Sequence, residues 1–290
     1  MEIMRWRLWR RAGASSLPFR LGAALCGGAL VLALVGPALL GGDPSAQDLY
    51  HVLQPPSWRH PCGTDAFGRD ILVRLVYGLR LTLMEIAVSL TVAAGIGVPI
   101  GLFAGFAPRW VDGAVMTISD VLFAFPGLVL ALLVVSLLGP GLFHALLAIA
   151  AFSVPVYIRL GRTLAAGMRH LLWVEALTVL GAGRTRVLLR HVLPNAATPL
   201  LVQATLSGGT VVLAAASLSF LGLGAQPPLP EWGTMMSDGR NALGAAFWPC
   251  LFPGLSIAVT VIGLNCLGDG LRERFGAPGE DRRAGSGGEV

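Results

Sequence analysis

The stretch Glu175–Asn195 reads EALTVLGAGRTRVLLRHVLPN. Trp173, Val174, Leu177 and Leu180 recur at helical spacing, which predicts a short helix with one apolar stripe. Gly181 and Gly183 break it. Val187, Leu188 and Val192 form a second stripe and leave Arg184, Arg186 and Arg190 for the polar side, and Pro194 ends the segment. This is the close of an arginine-rich amphipathic excursion from Arg159 to Asn195, set between two apolar runs. Two readings stay open on periodicity alone. One is a helix–turn–helix inserted into a partner's groove, with Glu175 offering a carboxylate to an arginine and a glycine letting two backbones approach. The other is an interfacial hairpin bound by water or lipid headgroups.

The rest of the chain points to a membrane. Of 290 residues, 54% are hydrophobic and 13% charged, and mean hydropathy is +0.71. Soluble domains carry roughly a quarter charged residues, so this composition excludes an ordinary soluble fold. The net charge of +5 comes from arginine, with no lysine present, and is expected to set topology rather than to bind nucleic acid. The cysteines Cys26, Cys62, Cys250 and Cys266 form no C-x-x-C pair and have no histidine at zinc-ligand spacing, so no metal site is expected. A Cys62–Cys250 disulfide is left open.

Six apolar runs cover residues 21–40, 82–107, 116–138, 141–158, 199–221 and 246–267. At about 1.5 Å per residue each can cross a hydrocarbon core ~30 Å thick. The expected fold is therefore an all-α polytopic membrane protein with six transmembrane helices. Pro126, Pro155 and the Gly208-Gly209 pair predict kinks or close helix contacts. No internal repeat is visible. The first run follows Arg5, Arg7, Arg10, Arg11 and Arg20 but lacks a convincing cleavage site, so it is expected to be a retained span rather than a signal peptide.

Arginine counts orient the chain. The arm at 1–20, the loop at 160–195 and the tail at 276–290 fall on one side of the alternation. The positive-inside rule puts that side, with both termini, in the cytoplasm. The expected division is a 1–20 arm, a first span with an extracytoplasmic segment over 21–81, a core over 82–275 and a flexible tail over 276–290. Thr64-Asp65 and Gly68 predict a capped turn, followed by an amphipathic helix over 69–80 lying on the outer surface. Glu85 is expected near an end of span two, close enough to an interface to snorkel, and Asp120 near the cytoplasmic start of span three, both as interfacial groups or interhelical hydrogen-bond partners rather than a proton relay.

Four motifs carry a resemblance. The first is Glu175-Ala176, Gly181, then His191, Leu193-Pro194 and Asn195. The second is His60-Pro61-Cys62-Gly63-Thr64-Asp65-Ala66-Phe67-Gly68-Arg69-Asp70. The third is Ser219-Phe220-Leu221-Gly222-Leu223-Gly224, with Pro227-Pro228 and Glu231-Trp232-Gly233. The fourth is Asn265 with Gly268-Asp269-Gly270-Leu271-Arg272. Together, in this order, they resemble C-type membrane subunits of the dipeptide/oligopeptide and nickel family of ABC importer permeases. Leu177 and Thr178 depart from the family's usual residues.

The resemblance implies that Glu175, Ala176, Gly181, His191, Leu193, Pro194 and Asn195 couple the chain to an ATPase. It also implies that Gly63, Thr64, Asp65, Gly68, Arg69 and Asp70 shape an outer gate or a docking surface for a solute-binding protein. The implied partners are two ABC ATPases, a second homologous permease, an extracytoplasmic solute-binding protein and the bilayer. ATP and Mg would be held by the ATPases, since the chain has no phosphate-binding loop and no catalytic constellation. The implied setting is a bacterial inner membrane and the implied cargo di- or oligopeptides, with nickel, glutathione or another small solute as alternatives. A competing class, an ATP-independent secondary transporter or channel, predicts paired intramembrane charges and inverted repeats, neither of which is clear in the sequence.

Overall fold

The computed structural model describes residues 17–275, and all its regular elements are helical. Arg5, Arg7, Arg10 and Arg11 of the arm and the whole 276–290 tail lie outside the described residues. Helix α1 spans Leu17–Leu40, α2 Ile71–Phe106, α3 Arg109–Ala124 and α4 Gly127–Leu138. Helix α5 spans Leu142–Arg169, α6 Leu172–Val179 and α7 Arg184–Val187. A wide π turn at Leu188–Val192 leads into α8, Leu193–Phe220; α9 is Trp232–Gly239 and α10 Trp248–Phe275.

Five helical stretches are long and apolar enough to cross a membrane: α1, α2, α5, the run from Arg184 to Phe220, and α10. A sixth crossing requires α3 and α4 together, which bend by 88° at Phe125-Pro126. The kink expected from Pro126 is thus closer to a right angle. The spans expose many large apolar side chains, among them Leu30, Leu34, Leu133, Val259 and Ile262, as a lipid-facing surface requires.

One difference from the sequence reading matters for the site. The surface helix expected over 69–80 and the span expected from 82 are a single helix, α2, 36 residues or roughly 54 Å long. The boundary drawn at 81/82 falls inside it. Its arginines do not face the interface as an amphipathic helix would have them. Arg74 is buried and donates to the Pro44 carbonyl at 3.0 Å, while Arg80 donates to the carbonyls of Ala33 and Leu34 on α1.

Small residues set the helix contacts. On α2, Gly97, Gly101 and Gly105 repeat every fourth position against α5, and a Cβ on Gly101 would stand 2.2 Å from the Ile158 carbonyl oxygen. Side chains there would force the helices apart, so this stripe fixes the α2–α5 contact. Gly208 and Gly209 of α8 lie against Leu264, Val261 and Asn265 of α10. Gly22 packs on Cys266 and Leu267, and Gly270 on Phe19, so α1 and α10 run antiparallel.

The bundle has two ends. One, the motif end, carries the 41–70 segment and the 221–247 segment, tied together where the Trp248 indole donates to the Thr64 carbonyl at 3.2 Å. The other, the loop end, gathers Phe106 of α2, Arg169 of α5 and Glu175 of α6 around one cavity. The four cysteines are free, so the Cys62–Cys250 pairing left open by the sequence is not made.

Candidate functional site

At the loop end, α6 stops by a glycine-dependent mechanism. Gly181 adopts φ +81, its N–H bonds to the Thr178 carbonyl at 3.0 Å, and the Ala182 N–H bonds to the Leu177 carbonyl at 3.0 Å. These are the two bonds of a Schellman terminus, whose left-handed residue favours glycine. A Cβ on Gly181 would meet nothing within 4 Å, so the requirement is conformational, not steric.

The turn leads to α7 and the π turn, where the Leu193 N–H reaches back to the Leu188 carbonyl. Pro194 has no N–H to continue an ordinary helical ladder, and widened turns occur where that ladder is interrupted. Asn195 repairs part of the gap: its side-chain amide donates to the His191 carbonyl at 2.6 Å.

The predicted hairpin is therefore present and its stripes sort by burial. Val174, Val187, Leu188 and Val192 are buried, whereas Leu180, expected on the packed stripe, is exposed together with Leu172 and Val179. Glu175, Ala176, Gly181, Pro194 and Asn195 are exposed, and His191 and Leu193 half-buried. A cavity of about 490 Å³ opens beside them, lined by Phe106, Arg169, His170, Val174, Glu175 and Arg184. The surface offers exposed aliphatic side chains next to a carboxylate and cations, a composition suited to a protein partner.

At the motif end, the 60–70 segment is a folding hub. Thr64 is buried; its hydroxyl donates to the His51 carbonyl at 2.6 Å and accepts from the Gln54 N–H at 2.8 Å. Asp65 accepts from the N–H groups of Phe67 and Arg69 and from the Arg69 guanidinium at 2.5 Å. Arg69 also donates to Asp238 at 3.0 Å. Gly68 rests on the Asp48 backbone, where a Cβ would fall 1.8 Å from the carbonyl oxygen, and Gly63 packs on Gln54 and Trp248. The helix cap predicted at Thr64-Asp65 is supplied instead by Asp70, which accepts from the Val73 N–H at 3.1 Å and meets His60 at 2.8 Å. Of the six predicted residues, Gly63, Thr64, Asp65, Gly68 and Arg69 are buried and Asp70 is half-buried.

Between the ends lies a feature the sequence reading missed. Glu85 does not snorkel: it is 2% exposed and within electrostatic reach of Glu231, itself 1% exposed. Glu231 caps α9, accepting from the Thr234 N–H at 2.8 Å, and Ser219 also bonds to it. Burial raises the Glu231 carboxyl above its ordinary range, and these donors offset only part of the rise. Asp120 finds the interhelical partner expected of it in Arg159, and Asp112 pairs with Arg162. Two ion pairs thus tie α3 to α5.

The chain is a helical bundle with five or six candidate membrane spans, an exposed helical hairpin at one end and a buried polar hub at the other. Residues 97–277 match the family model described as binding-protein-dependent transport system inner membrane component, and the chain belongs to that family. It is 44% identical over 244 residues to the dipeptide transport system permease protein DppC of Alkalihalophilus pseudofirmus, covering 84% of this chain and 80% of that one. It is 43% identical over 247 residues to the di/tripeptide transport system permease protein DppC of Pseudomonas aeruginosa, covering 83% and 82%. With the glutathione transport system permease protein GsiD of Pectobacterium atrosepticum it shares 39% identity over 275 residues, 92% of this chain and 89% of that one. An inward-facing structure of the MetNI methionine ABC transporter shares the fold, with a TM-score of 0.58 at 20% identity, covering 70% of this chain and 97% of that one.

Proposed function

We propose that the chain forms half of the pore of an ATP-driven importer of di- and oligopeptides. Its six spans cross a bacterial inner membrane with both termini and the 160–195 loop in the cytoplasm. ATP and Mg are bound by two partner ATPases, a second homologous permease completes the pore, and an extracytoplasmic binding protein delivers the solute to the motif end. In this reading Glu175, Ala176, Gly181, His191, Leu193, Pro194 and Asn195 form the ATPase-coupling surface. ATP-driven closure of the ATPases moves the hairpin, and the spans rock to open the motif end.

The observation that carries the coupling role is the exposure of Leu172, Val179 and Leu180 around Glu175 at the rim of the loop-end cavity. Contiguous exposed apolar side chains outside a bilayer mark a protein contact. The peptide cargo rests on the two dipeptide relatives. A second reading, glutathione, rests on the glutathione relative that matches 92% of the chain.

The test is a mild-detergent pull-down from native membranes with mass spectrometry. Wild type should retain ATPase subunits, and Glu175→Arg and Gly181→Trp should lose them while remaining folded. Gly181→Asn is the informative control. Asparagine tolerates the left-handed turn, so the hairpin should form, and any loss of ATPase then reports the partner's close approach. Failure of wild type to retain an ATPase, under conditions that preserve another importer, would sink the proposal.

A further inference from the structure

The loop-end cavity gathers charges that do not neutralise one another. Arg169 closes α5, His170 follows it and Arg184 opens α7; with Glu175 of α6 they line one space of about 490 Å³. Among the described residues, neither guanidinium forms an ion pair, with Glu175 or with any other carboxylate. The nearby arginines of α5 behave differently, since Arg159 and Arg162 are each paired with an aspartate of α3. Two fixed positive charges thus border the cavity against one negative, all on exposed residues.

The floor is apolar. Val174 and Val187 are buried there, and Phe106 and Ala182 half-buried. An acidic side chain fits this arrangement, its aliphatic stem against the valines and its carboxylate between the guanidiniums.

The neighbouring face of α6 argues for a protein occupant over a lipid headgroup. Leu172, Glu175, Ala176 and Val179 are all exposed and share one face at helical spacing, with the carboxylate in its middle. An anionic bilayer surface drawn to the arginines would press a like charge onto Glu175, whereas a protein surface can offer opposite signs at the two places.

We propose that this cavity is a carboxylate site, filled by an acidic side chain that projects from an apolar segment of the partner ATPase and is held between Arg169 and Arg184. Resting on the coupling reading above, the contact is then reciprocal: the hairpin gives Glu175 to a cation of the partner and takes an anion in return. Two ion pairs of opposite sense fix the rotation of the hairpin on its partner, which a single pair leaves free. The site also joins the bundle directly. Arg169 lies one turn beyond Ala165, against which Gly105 of α2 packs.

The test uses the assembled transporter in native membranes. Photoreactive benzoylphenylalanine at Thr178, which lines the cavity, should cross-link to an ATPase peptide carrying Asp or Glu. If that bulk displaces the ATPase, Val179 takes its place as the labelled position. Arg169→Glu and Arg184→Glu should each lower the retained ATPase about tenfold, with the melting temperature unchanged. Exchanging the cross-linked acidic residue for arginine should restore retention to Arg184→Glu, a rescue that a purely structural role of Arg184 would not show. Cross-linking to phospholipid, to an ATPase peptide without an acidic residue, or to nothing in a complex that keeps its ATPase overturns the proposal. Full retention by both charge-reversed variants, or failure of the exchange, does the same. Wild type without any ATPase sinks the coupling reading as well. Loss of ATPase from Glu175→Arg alone, with both arginine variants like wild type, overturns only the carboxylate site.

Discussion

Arg69 and Asp238 are 169 positions apart in the chain and 3.0 Å apart in space. Arg69 also holds Asp65 at 2.5 Å, so one buried guanidinium bridges the 41–70 segment and the end of α9. Removing it takes away the guanidinium bonded to Asp65 and leaves only Arg74, 3.8 Å away, beside the buried carboxylate. Arg69→Ala should therefore cost about 3–5 kcal/mol, whereas Asp238→Ala, which removes the more exposed partner, should cost about 1 kcal/mol. Thermal unfolding of the purified protein in detergent measures both, and equal effects would contradict this division.

Arg80 and Pro37 make a second, conditional prediction. Pro37 has no N–H, so the Ala33 carbonyl four residues earlier lacks its helical donor, and Arg80 supplies one from α2. Arg80→Gln should destabilise by about 1–3 kcal/mol, the cost of an unsatisfied buried acceptor. Pro37→Ala restores the N–H and should suppress much of that loss. Additive effects in the double variant would rule out the link.

The α2 glycines differ by surroundings rather than by type. A Cβ on Gly101 would collide with the α5 backbone, while one on Gly95 meets nothing within 4 Å. Gly101→Ala should cost about 1–3 kcal/mol by forced separation of the helices. Gly95→Ala should be neutral or gain about 0.5–1 kcal/mol through helix propensity. Detergent melting temperatures of the two variants should move in opposite directions, or only that of Gly101→Ala should fall.

Glu231 sets a pH dependence. Its carboxyl is raised by burial, so folding favours the protonated form. Its contribution to stability is complete below the ordinary value of 4.5 and is lost as pH rises through the higher folded-state value. Stability should accordingly fall on going from mildly acidic to alkaline buffer. Glu231→Gln, which keeps an acceptor for the Thr234 N–H, should flatten that slope. A variant with the same slope as wild type would assign the dependence elsewhere.

The hairpin was legible from Glu175–Asn195 because its signals are local: a stripe at helical spacing, a glycine stop and a proline. The motif-end turn was half legible. Gly68 and Asp65 read correctly as turn residues, but the cap fell to Asp70, since Asp65 is taken up by Arg69 and nothing nearby in sequence announces Asp238. The length of α2 was misread for the same reason. Arg74 and Arg80 look interfacial until their acceptors, Pro44 and the α1 carbonyls, are known. Glu85 went wrong because Glu231 reaches it only through the placement of α9. Pro126 announced a bend, but its 88° depends on how α4 packs against α5.

The unbroken course of α2 has a mechanical consequence. Ile71 is sealed within the hub at one end, and Phe106 borders the hairpin cavity at the other. A tilt of about 10° over roughly 54 Å displaces the far end by about 9 Å. The two ends of the molecule are therefore geared together, with slack only where the shaft itself can flex. Pro99 marks that place, because it leaves the Gly95 carbonyl without its helical donor in the middle of the glycine stripe.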